Sequence, residues 1–302
     1  MLLLTSCARS PGAVWGENPV NPAFQPALQP AFIEANPGDT GILATPYSPS
    51  IDRYIDEYID KYKEAPPSSG YYNYNGYYAP DYYASHYGYY VECPYYEATP
   101  RPMVALTFDD GPGPFTDYLL DILDEHGGRV TFCVLGNRVE PWSQTILRMI
   151  ESGNEVLGHS WNHRHFGRLN EAAVIEQIFN TSAAIEAVTG FPPAPIFRAP
   201  YGFVNSMVRR VSREIGYSIL NWSLDPEDWR YRDADIIYNF IMSRAIHGSI
   251  ILLHDIHPTT VEAMERVIPG LQEAGFQLVT ISELFEYLYG PLEPGREYRG
   301  IR

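Results

Sequence analysis

From Arg101 onwards, short apolar runs alternate regularly with segments of helical period, and this alternation constrains the fold most strongly. Seven runs are predicted as strands: 103–108, 130–134, 155–158, 196–198, 217–221, 249–253 and 277–280. Six segments between or after them are predicted as helices: 116–125, 143–152, 171–189, 205–215, 233–245 and 259–274, the last capped by Thr259 or Thr260. The pattern favours a parallel α/β architecture, for which a closed or partly closed barrel is one economical solution and an open sheet another.

The first hundred residues have a different composition and are predicted to form an extension, followed by a folded domain at 101–290 and a tail at 291–302. Residues 8–50, rich in Pro, Ala, Asn and Ser, are typical of a linker. Residues 51–62 repeat Ile-Asp-x-Tyr three times, which predicts a helix that packs on the domain or binds a partner. Residues 71–96 contain half of the 24 tyrosines, as a spacer or as a surface that stacks on sugar rings.

The extreme N-terminus carries a second signal. Leu4-Thr5-Ser6-Cys7 resembles a bacterial lipobox, in which the cysteine becomes lipidated after cleavage of a signal peptide. Only Met1 to Leu3 precede it, without a basic segment or a full apolar core. Either the natural start lies upstream and Cys7 anchors the chain to a membrane, or the match is chance. No run of apolar residues approaches the length needed to span a bilayer.

Charge and cysteine content exclude several classes of function. A formal charge of −16 and a pI near 4.8 argue against a nucleic-acid partner, which requires clustered Lys and Arg. The three cysteines have neither disulfide-scaffold nor zinc-finger spacing. Cys133, within an apolar run, is interpreted as a small buried hydrophobic residue.

Polar clusters follow several of the predicted strands, at the edge where parallel α/β folds place their active sites. The first is Thr107-Phe108-Asp109-Asp110-Gly111-Pro112, which ordinary turn chemistry would also explain. The second is His159-Ser160-Trp161-Asn162-His163. Two histidines four residues apart on one helical turn can face one metal ion, and with Asp110 they would form a site with open positions for water and substrate. His165 is not expected to be a further ligand.

Three more clusters follow in order: Arg198-Ala199-Pro200-Tyr201-Gly202, Asp225-Pro226-Glu227-Asp228-Trp229 and Leu252-Leu253-His254-Asp255. With these, the sequence resembles the polysaccharide deacetylase family, which shares the NodB-homology domain, because all five of the family's motifs are present in their usual order. The resemblance covers about Arg101 to Tyr289. It implies a distorted (β/α) barrel with about seven parallel strands, preceded by the low-complexity extension.

The resemblance also implies a role for each matching residue. Asp110, His159 and His163 correspond to ligands of one divalent metal ion, with zinc expected and cobalt, nickel or manganese as alternatives. Asp109 corresponds to the catalytic base, which Arg198 orients, and His254 to the general acid, with Asp228 as its charge partner. The backbone N–H of Tyr201 would help to hold the oxyanion. Trp229 and Leu252 would line the pocket for the acetyl methyl group.

These residues predict an amide hydrolase that removes N-acetyl groups from N-acetylglucosamine in a polysaccharide of the cell envelope or extracellular space, with peptidoglycan preferred over chitin-like oligosaccharides. Hydrolysis of a small amide or imide is a second interpretation. A surface glycan-binding lipoprotein with a vestigial domain is a third, although no motif residue is lost. The sequence does not indicate the oligomeric state.

Overall fold

The computed structural model describes residues 101–301. The predicted lipobox, linker, Ile-Asp-x-Tyr helix and tyrosine-rich segment therefore lie outside the described residues. No helix within residues 101–301 combines the length and the apolar character that crossing a membrane requires.

The described chain folds around a single curved sheet of parallel strands. The strands are β1 (Met103–Asp109), β2 (Thr131–Val134), β3 (Glu155–Gly158), β4 (Ile196–Arg198), β5 (Ser218–Leu220), β6 (Ser249–Leu253), β7 (Gln277–Leu278) and β8 (Glu297–Tyr298). Their order is β6-β1-β2-β3-β4-β5-β8, and β7 also pairs with β1. The predicted α/β fold is thus confirmed, and the predicted tail at 291–302 contributes β8, which pairs with β5.

Helices connect the strands and cover the outside of the sheet, as successive parallel strands require. They are α1 (Thr116–His126), α2 (Gly136–Val139), α3 (Ser143–Glu151), α4 (Glu171–Thr189), α5 (Ser206–Glu214), α6 (Asp228–Tyr231), α7 (Ala234–Arg244), α8 (Pro258–Glu273) and α9 (Ile281–Tyr289), with 3-10 turns at Phe166–Arg168 and Pro200–Gly202.

The sheet curls far enough to close on itself without a regular eighth repeat. After β5 the chain bonds to β6, because the N–H groups of Ser223 and Leu224 both donate to the carbonyl of Ile250, and Leu252 donates back to Leu224. This contact joins the segment that follows β5 to β6, the strand at the opposite end of the order from β8. The barrel is therefore distorted and closed by a short irregular segment.

Alternation along each strand separates the inside of the barrel from its helical cover. Leu106 and Phe108 of β1 pack with the helices in the larger core cluster, whereas Ala105 belongs to a second cluster that includes Cys133 and Ile250. Thr107 and Asp109 share the face of Ala105. Cys133 is a buried free thiol, as predicted. The polar residues at the end of β1 therefore lie on its inward face.

Three short helices (α2, α6 and α9) and β8 were not predicted. The predicted cap of α8 was wrong: the helix begins at Pro258 with His257 as its N-cap residue, and neither Thr259 nor Thr260 caps it. Proline suits the first position of a helix because that position has no carbonyl partner for an N–H group. Thr260 instead donates its hydroxyl hydrogen to Asp228 Oδ2, at 2.7 Å.

Candidate active site

The five motifs converge at the carboxyl ends of the strands. Asp109 is the last residue of β1 and Arg198 the last of β4, while His159 follows β3 and His254 follows β6. Parallel strands bring all of these ends to the same rim of the barrel. The fold thus places side chains separated by up to 145 positions around one cleft.

Asp110, His159 and His163 lie together at this rim. One potential ligand atom from each lies within 4.8 Å of the other two. Asp110 Oδ1 is 3.7 Å from His159 Nε2 and 3.4 Å from His163 Nε2. These are the three residues that the sequence predicts as metal ligands, and the structure brings all of them together. His165 is not a member of this group.

The orientation of His159 is fixed by a bond on the far side of its ring. Its Nδ1 lies 2.8 Å from the carbonyl oxygen of Arg198. Because a carbonyl can only accept, Nδ1 carries the hydrogen and Nε2 presents its lone pair to the cluster. Metal-binding histidines in proteins are commonly oriented in this manner.

The segment 159–163 is an irregular loop, so the predicted helical turn was wrong. Ser160 and His163 have positive φ values of 71° and 60°, which bring the second imidazole back towards the first. The hydroxyl of Ser160 accepts from the N–H of His163, at 3.0 Å. Gln177 Oε1 on α4 accepts from the N–H groups of Trp161 and Asn162, at 3.0 and 3.3 Å. These bonds replace those that a helix would supply.

The donor set fits a divalent cation. Asp110 Oδ1 is buried and has no hydrogen-bond partner among the described residues, so its lone pairs point into the cluster unused. Leaving a buried carboxylate oxygen without a partner costs free energy unless a cation completes the site. Two imidazole nitrogens and one carboxylate oxygen suit zinc and neighbouring transition metals.

Asp109 is held beside this cluster by a buried ion pair. Arg198 Nη1 donates to Asp109 Oδ1 at 2.6 Å and to Thr107 Oγ1 at 2.9 Å. Arg198 is completely buried and Asp109 is 2% exposed. Burial acts to raise the pKa of Asp109, but the charge and hydrogen bond of Arg198 and the charge of His254 outweigh it, and the pKa lies below its ordinary value. Asp109 is therefore a carboxylate that can accept a proton.

His254, which follows β6, is held by Asp228, with Asp228 Oδ1 2.8 Å from its Nδ1. Burial acts to lower the pKa of His254, whereas the hydrogen bond and charge of Asp228 and the charges of Asp109 and Asp110 raise it to about 9. Asp228 is itself fully buried. In this environment His254 is protonated at neutral pH, which suits a proton donor.

Of the residues predicted to form the substrate pocket, Tyr201 contacts a candidate metal ligand. Tyr201 has φ 61° and lies in a 3-10 turn after β4, and its exposed ring packs edge-on against His163 with centroids 4.6 Å apart. Trp229 is 48% exposed, while Leu252 lies buried in β6 in register with Thr107 of β1. His165 packs between Tyr201 and Phe203. Tyr201, His165 and Phe203 thus form an aromatic group beside His163.

Two supporting residues were missed by the sequence analysis. Gln177 is a buried amide among apolar residues of α4, a pattern that signals a specific hydrogen-bonding role without indicating its partner. Thr260 was interpreted as a helix cap and instead binds Asp228. Only the fold shows which loops these side chains face.

Comparisons with known proteins agree with this geometry. The family model for polysaccharide deacetylases matches residues 96–220. The peptidoglycan-N-acetylmuramic acid deacetylase PdaC of Bacillus subtilis is 40% identical over 187 residues, which cover 62% of this chain but only 39% of PdaC. The chitooligosaccharide deacetylase of Bradyrhizobium sp. is 34% identical over 196 residues, covering 60% of this chain and 90% of that enzyme.

Solved structures extend the similarity to three dimensions. A structure described as T48 deacetylase with substrate has a TM-score of 0.62 and 35% identity, covering 66% of this chain and 96% of that one. A family 4 acetyl xylan esterase from Clostridium thermocellum in complex with a cobalt ion has a TM-score of 0.61 and 32% identity, covering 66% and 98% of the two chains. These matches confirm what the five motifs predicted: the chain belongs to the polysaccharide deacetylase family.

Proposed function

We propose that this protein is a metal-dependent hydrolase that removes N-acetyl groups from amino sugars of a polysaccharide, most specifically N-acetylglucosamine of peptidoglycan. The main support is one geometric observation: three candidate metal ligands lie within 4.8 Å of one another, next to a carboxylate paired with Arg198 and opposite a histidine paired with Asp228. A base, a metal site and an acid would then all act on the same amide bond of the substrate.

Asp110, His159 and His163 would hold the cation, which supplies Lewis acidity that lowers the pKa of water from ~15.7 towards ~7 and polarises the amide carbonyl. Asp109 then removes the proton of the attacking water. Arg198 keeps Asp109 ionised and fixes its Oδ1, so that Oδ2, which lies 3.5 Å from His159 Nε2, faces the metal cluster.

Attack on the amide carbonyl places negative charge on its oxygen, and collapse must expel an amine. The backbone N–H of Tyr201 is assigned to stabilise that oxygen. An amine leaves readily only when protonated, and His254 donates the proton from Nε2, because its Nδ1 is engaged by Asp228. Acetate and a free amino sugar are the products.

The substrate assignment rests on relatives that differ from one another. PdaC is described as acting on N-acetylmuramic acid, whereas the Bradyrhizobium enzyme is described as a chitooligosaccharide deacetylase. The chain spans about two fifths of PdaC, so that protein's full activity does not transfer directly. Chitin-like oligosaccharides are therefore the second candidate substrate.

Localisation follows from the same assignment. A peptidoglycan substrate requires the domain to work in the cell envelope or outside the cell. Lipidation of Cys7 would anchor the chain to a membrane, and residues 8 to about 100 would then serve as the tether of a catalytic domain at 101–290.

Mass spectrometry of defined glycan oligomers, incubated with zinc-loaded protein, tests reaction and substrate together. Each acetyl group removed should lower the mass of the oligomer by about 42 Da. Fragmentation then shows whether the acetyl group was lost from a glucosamine or from a muramic acid residue, which measures the specificity of the enzyme. Asp109→Asn, which retains the side-chain volume but lacks the base, is the matched control. If wild-type protein releases no acetate from peptidoglycan or chitin oligomers while cleaving a small amide, the proposal is wrong.

A further inference from the structure

The turn that presents Asp110 is held from two sides, and one of them ends in a buried carboxylate. Asp110 has φ 70° and is followed by Gly111, Pro112 and Gly113. On one side, the N–H of Leu135 donates to the carbonyl of Gly111 at 3.1 Å, and Arg138 Nη1 on α2 donates to the carbonyl of Pro112 at 2.9 Å. The segment between β2 and α3 therefore fixes the outer edge of the turn.

On the other side, the turn is bonded through Thr116 to Asp255. The N–H of Gly113 donates to Thr116 Oγ1 at 2.8 Å, and the same hydroxyl donates its hydrogen to Asp255 Oδ2. Thr116 and Asp255 are both completely buried. The hydroxyl of Thr116 thus accepts from Gly113 and donates to Asp255, so that it links the turn to this carboxylate.

The carboxylate of Asp255 also lies directly against Gly111. A Cβ atom placed on Gly111 would lie 2.5 Å from Asp255 Oδ1 and 2.6 Å from Oδ2, which is closer than atoms in proteins approach. Only glycine therefore fits at the residue next to Asp110. Asp255 thus restricts which residue the turn can contain next to Asp110.

Burying the carboxylate of Asp255 costs free energy of folding, and no step of the proposed reaction uses this group. Its Oδ1 is buried without a hydrogen-bond partner among the described residues, and burial raises the pKa of Asp255 to about 7. A buried group with an unmet hydrogen bond destabilises the folded state. An apolar side chain would fill the space without that penalty, so packing alone does not account for Asp255.

We propose that Asp255, acting through Thr116, is a positioning residue that fixes the direction in which Asp110 presents Oδ1 to the divalent cation. This inference rests on the proposed metal-dependent function. Asp255 follows His254 in the chain, but the two carboxylates near this histidine differ in their contacts. Asp228 bonds to His254, whereas Asp255 bonds to Thr116, which holds the turn that carries the metal ligand.

The experiment removes the connecting hydroxyl and measures metal binding. Thr116→Val retains volume and branching but breaks both bonds, while Thr116→Ser retains the hydroxyl. Thr145→Val is the matched control, because Thr145 is also a buried threonine whose hydroxyl donates to a carboxylate, that of Asp117, and this bond joins α3 to α1 without involving Gly113 or Asp255. Zinc affinity is measured by competition with a chromophoric chelator, and the visible spectrum of the cobalt-loaded protein reports the coordination geometry.

We expect Thr116→Val to bind zinc ~10- to 100-fold more weakly and to change the cobalt spectrum, with Thr116→Ser and Thr145→Val close to wild type. Asp255→Asn, which retains an acceptor oxygen, should lose less affinity than Asp255→Ala. If the valine variant does not fold, Thr116→Ala gives the same comparison. Wild-type affinity and spectrum in the variants without the hydroxyl would overturn the inference, whereas failure of wild-type protein to bind metal would overturn the proposed function instead.

Discussion

Asp228 forms two hydrogen bonds with His254, with Oδ1 2.8 Å from the ring Nδ1 and Oδ2 2.7 Å from the backbone nitrogen. A single buried carboxylate thereby fixes both the position of the residue and the rotation of its ring. Thr260 and the N–H of Trp229 supply two further bonds to Asp228. Because Nδ1 is occupied, only Nε2 of His254 is available to exchange a proton with a substrate.

Replacing Asp228 with Asn should shift the alkaline limb of the kcat/KM profile to lower pH. His254 has its pKa raised to about 9, so it is competent as an acid below that value and loses its proton as the pH rises through it. Removing the carboxylate charge lowers that pKa, while the acid limb, which reports the base and the metal-associated water, should change less. A divalent cation lowers the pKa in both forms. Asp225→Asn is the control, and an unmoved alkaline limb in Asp228→Asn would contradict the assignment.

His254→Ala should lose ~10²- to 10⁴-fold in kcat and still bind one metal ion, because a general acid is removed without loss of a ligand. Turnover and metal content of the same preparation give the result. His257→Ala is the matched control, since His257 lies nearby with its ring centroid 5.9 Å from that of His254. Normal turnover, or loss of metal together with activity, would make His257 the next candidate.

Removing the metal with a chelator should abolish acetate release, and zinc or cobalt should restore it. His163→Ala should weaken zinc binding, because it removes one of the three clustered ligand atoms. His165→Ala should not, since its Nδ1 accepts from the N–H of Gly167 and lies outside the cluster. Full activity in protein verified as metal-free by elemental analysis would rule out the mechanism.

Arg198→Met should destabilise the protein by ~3–5 kcal/mol, because it leaves the buried charge of Asp109 without its partner. Urea unfolding of the metal-free protein measures the change without interference from the cation. The double variant with Asp109→Asn should recover part of the loss, since it removes the orphaned charge. Equal stability of the single and double variants would show that the ion pair is not the cause.

Cys7→Ala should release the protein from membranes when the gene is expressed with its native upstream region. Lipidation would give the wild-type chain an acyl anchor, and the alanine variant has no site for one. Fractionation into membrane and soluble pools measures the difference. Equal membrane association of the two forms would show that the lipobox resemblance is chance.

Much of the fold could be predicted because the signals are local. The strands of the barrel and its longer helices have clear apolar periods, and the observed boundaries differ from the predicted ones by a few residues at most. The helices α2 and α6 were missed because four residues are too few to show a period. The order of the strands and the closure at Leu224 depend on contacts between distant residues, which no local pattern reveals.

The candidate site was also predictable only in part. The identities of Asp110, His159 and His163 could be predicted from motifs, but the conformation of their loop could not, because a spacing of four suits a helical turn as well as a loop. Backbone bonds to Gln177 and positive φ values decide between them. Asp255 stands in the last polar cluster of the sequence and Thr116 begins a predicted helix, but their bond to each other could not be predicted, because the two residues are adjacent only in space.

Arg198 serves two partners through different parts of one residue. Its guanidinium holds Asp109, and its carbonyl orients His159. Side-chain substitutions at this position therefore affect the base directly, whereas a displacement of the β4 backbone disturbs base and ligand together. Distant variants that shift β4 should lose proton transfer and metal affinity in parallel, and this joint loss would distinguish a deformed scaffold from a damaged catalytic group.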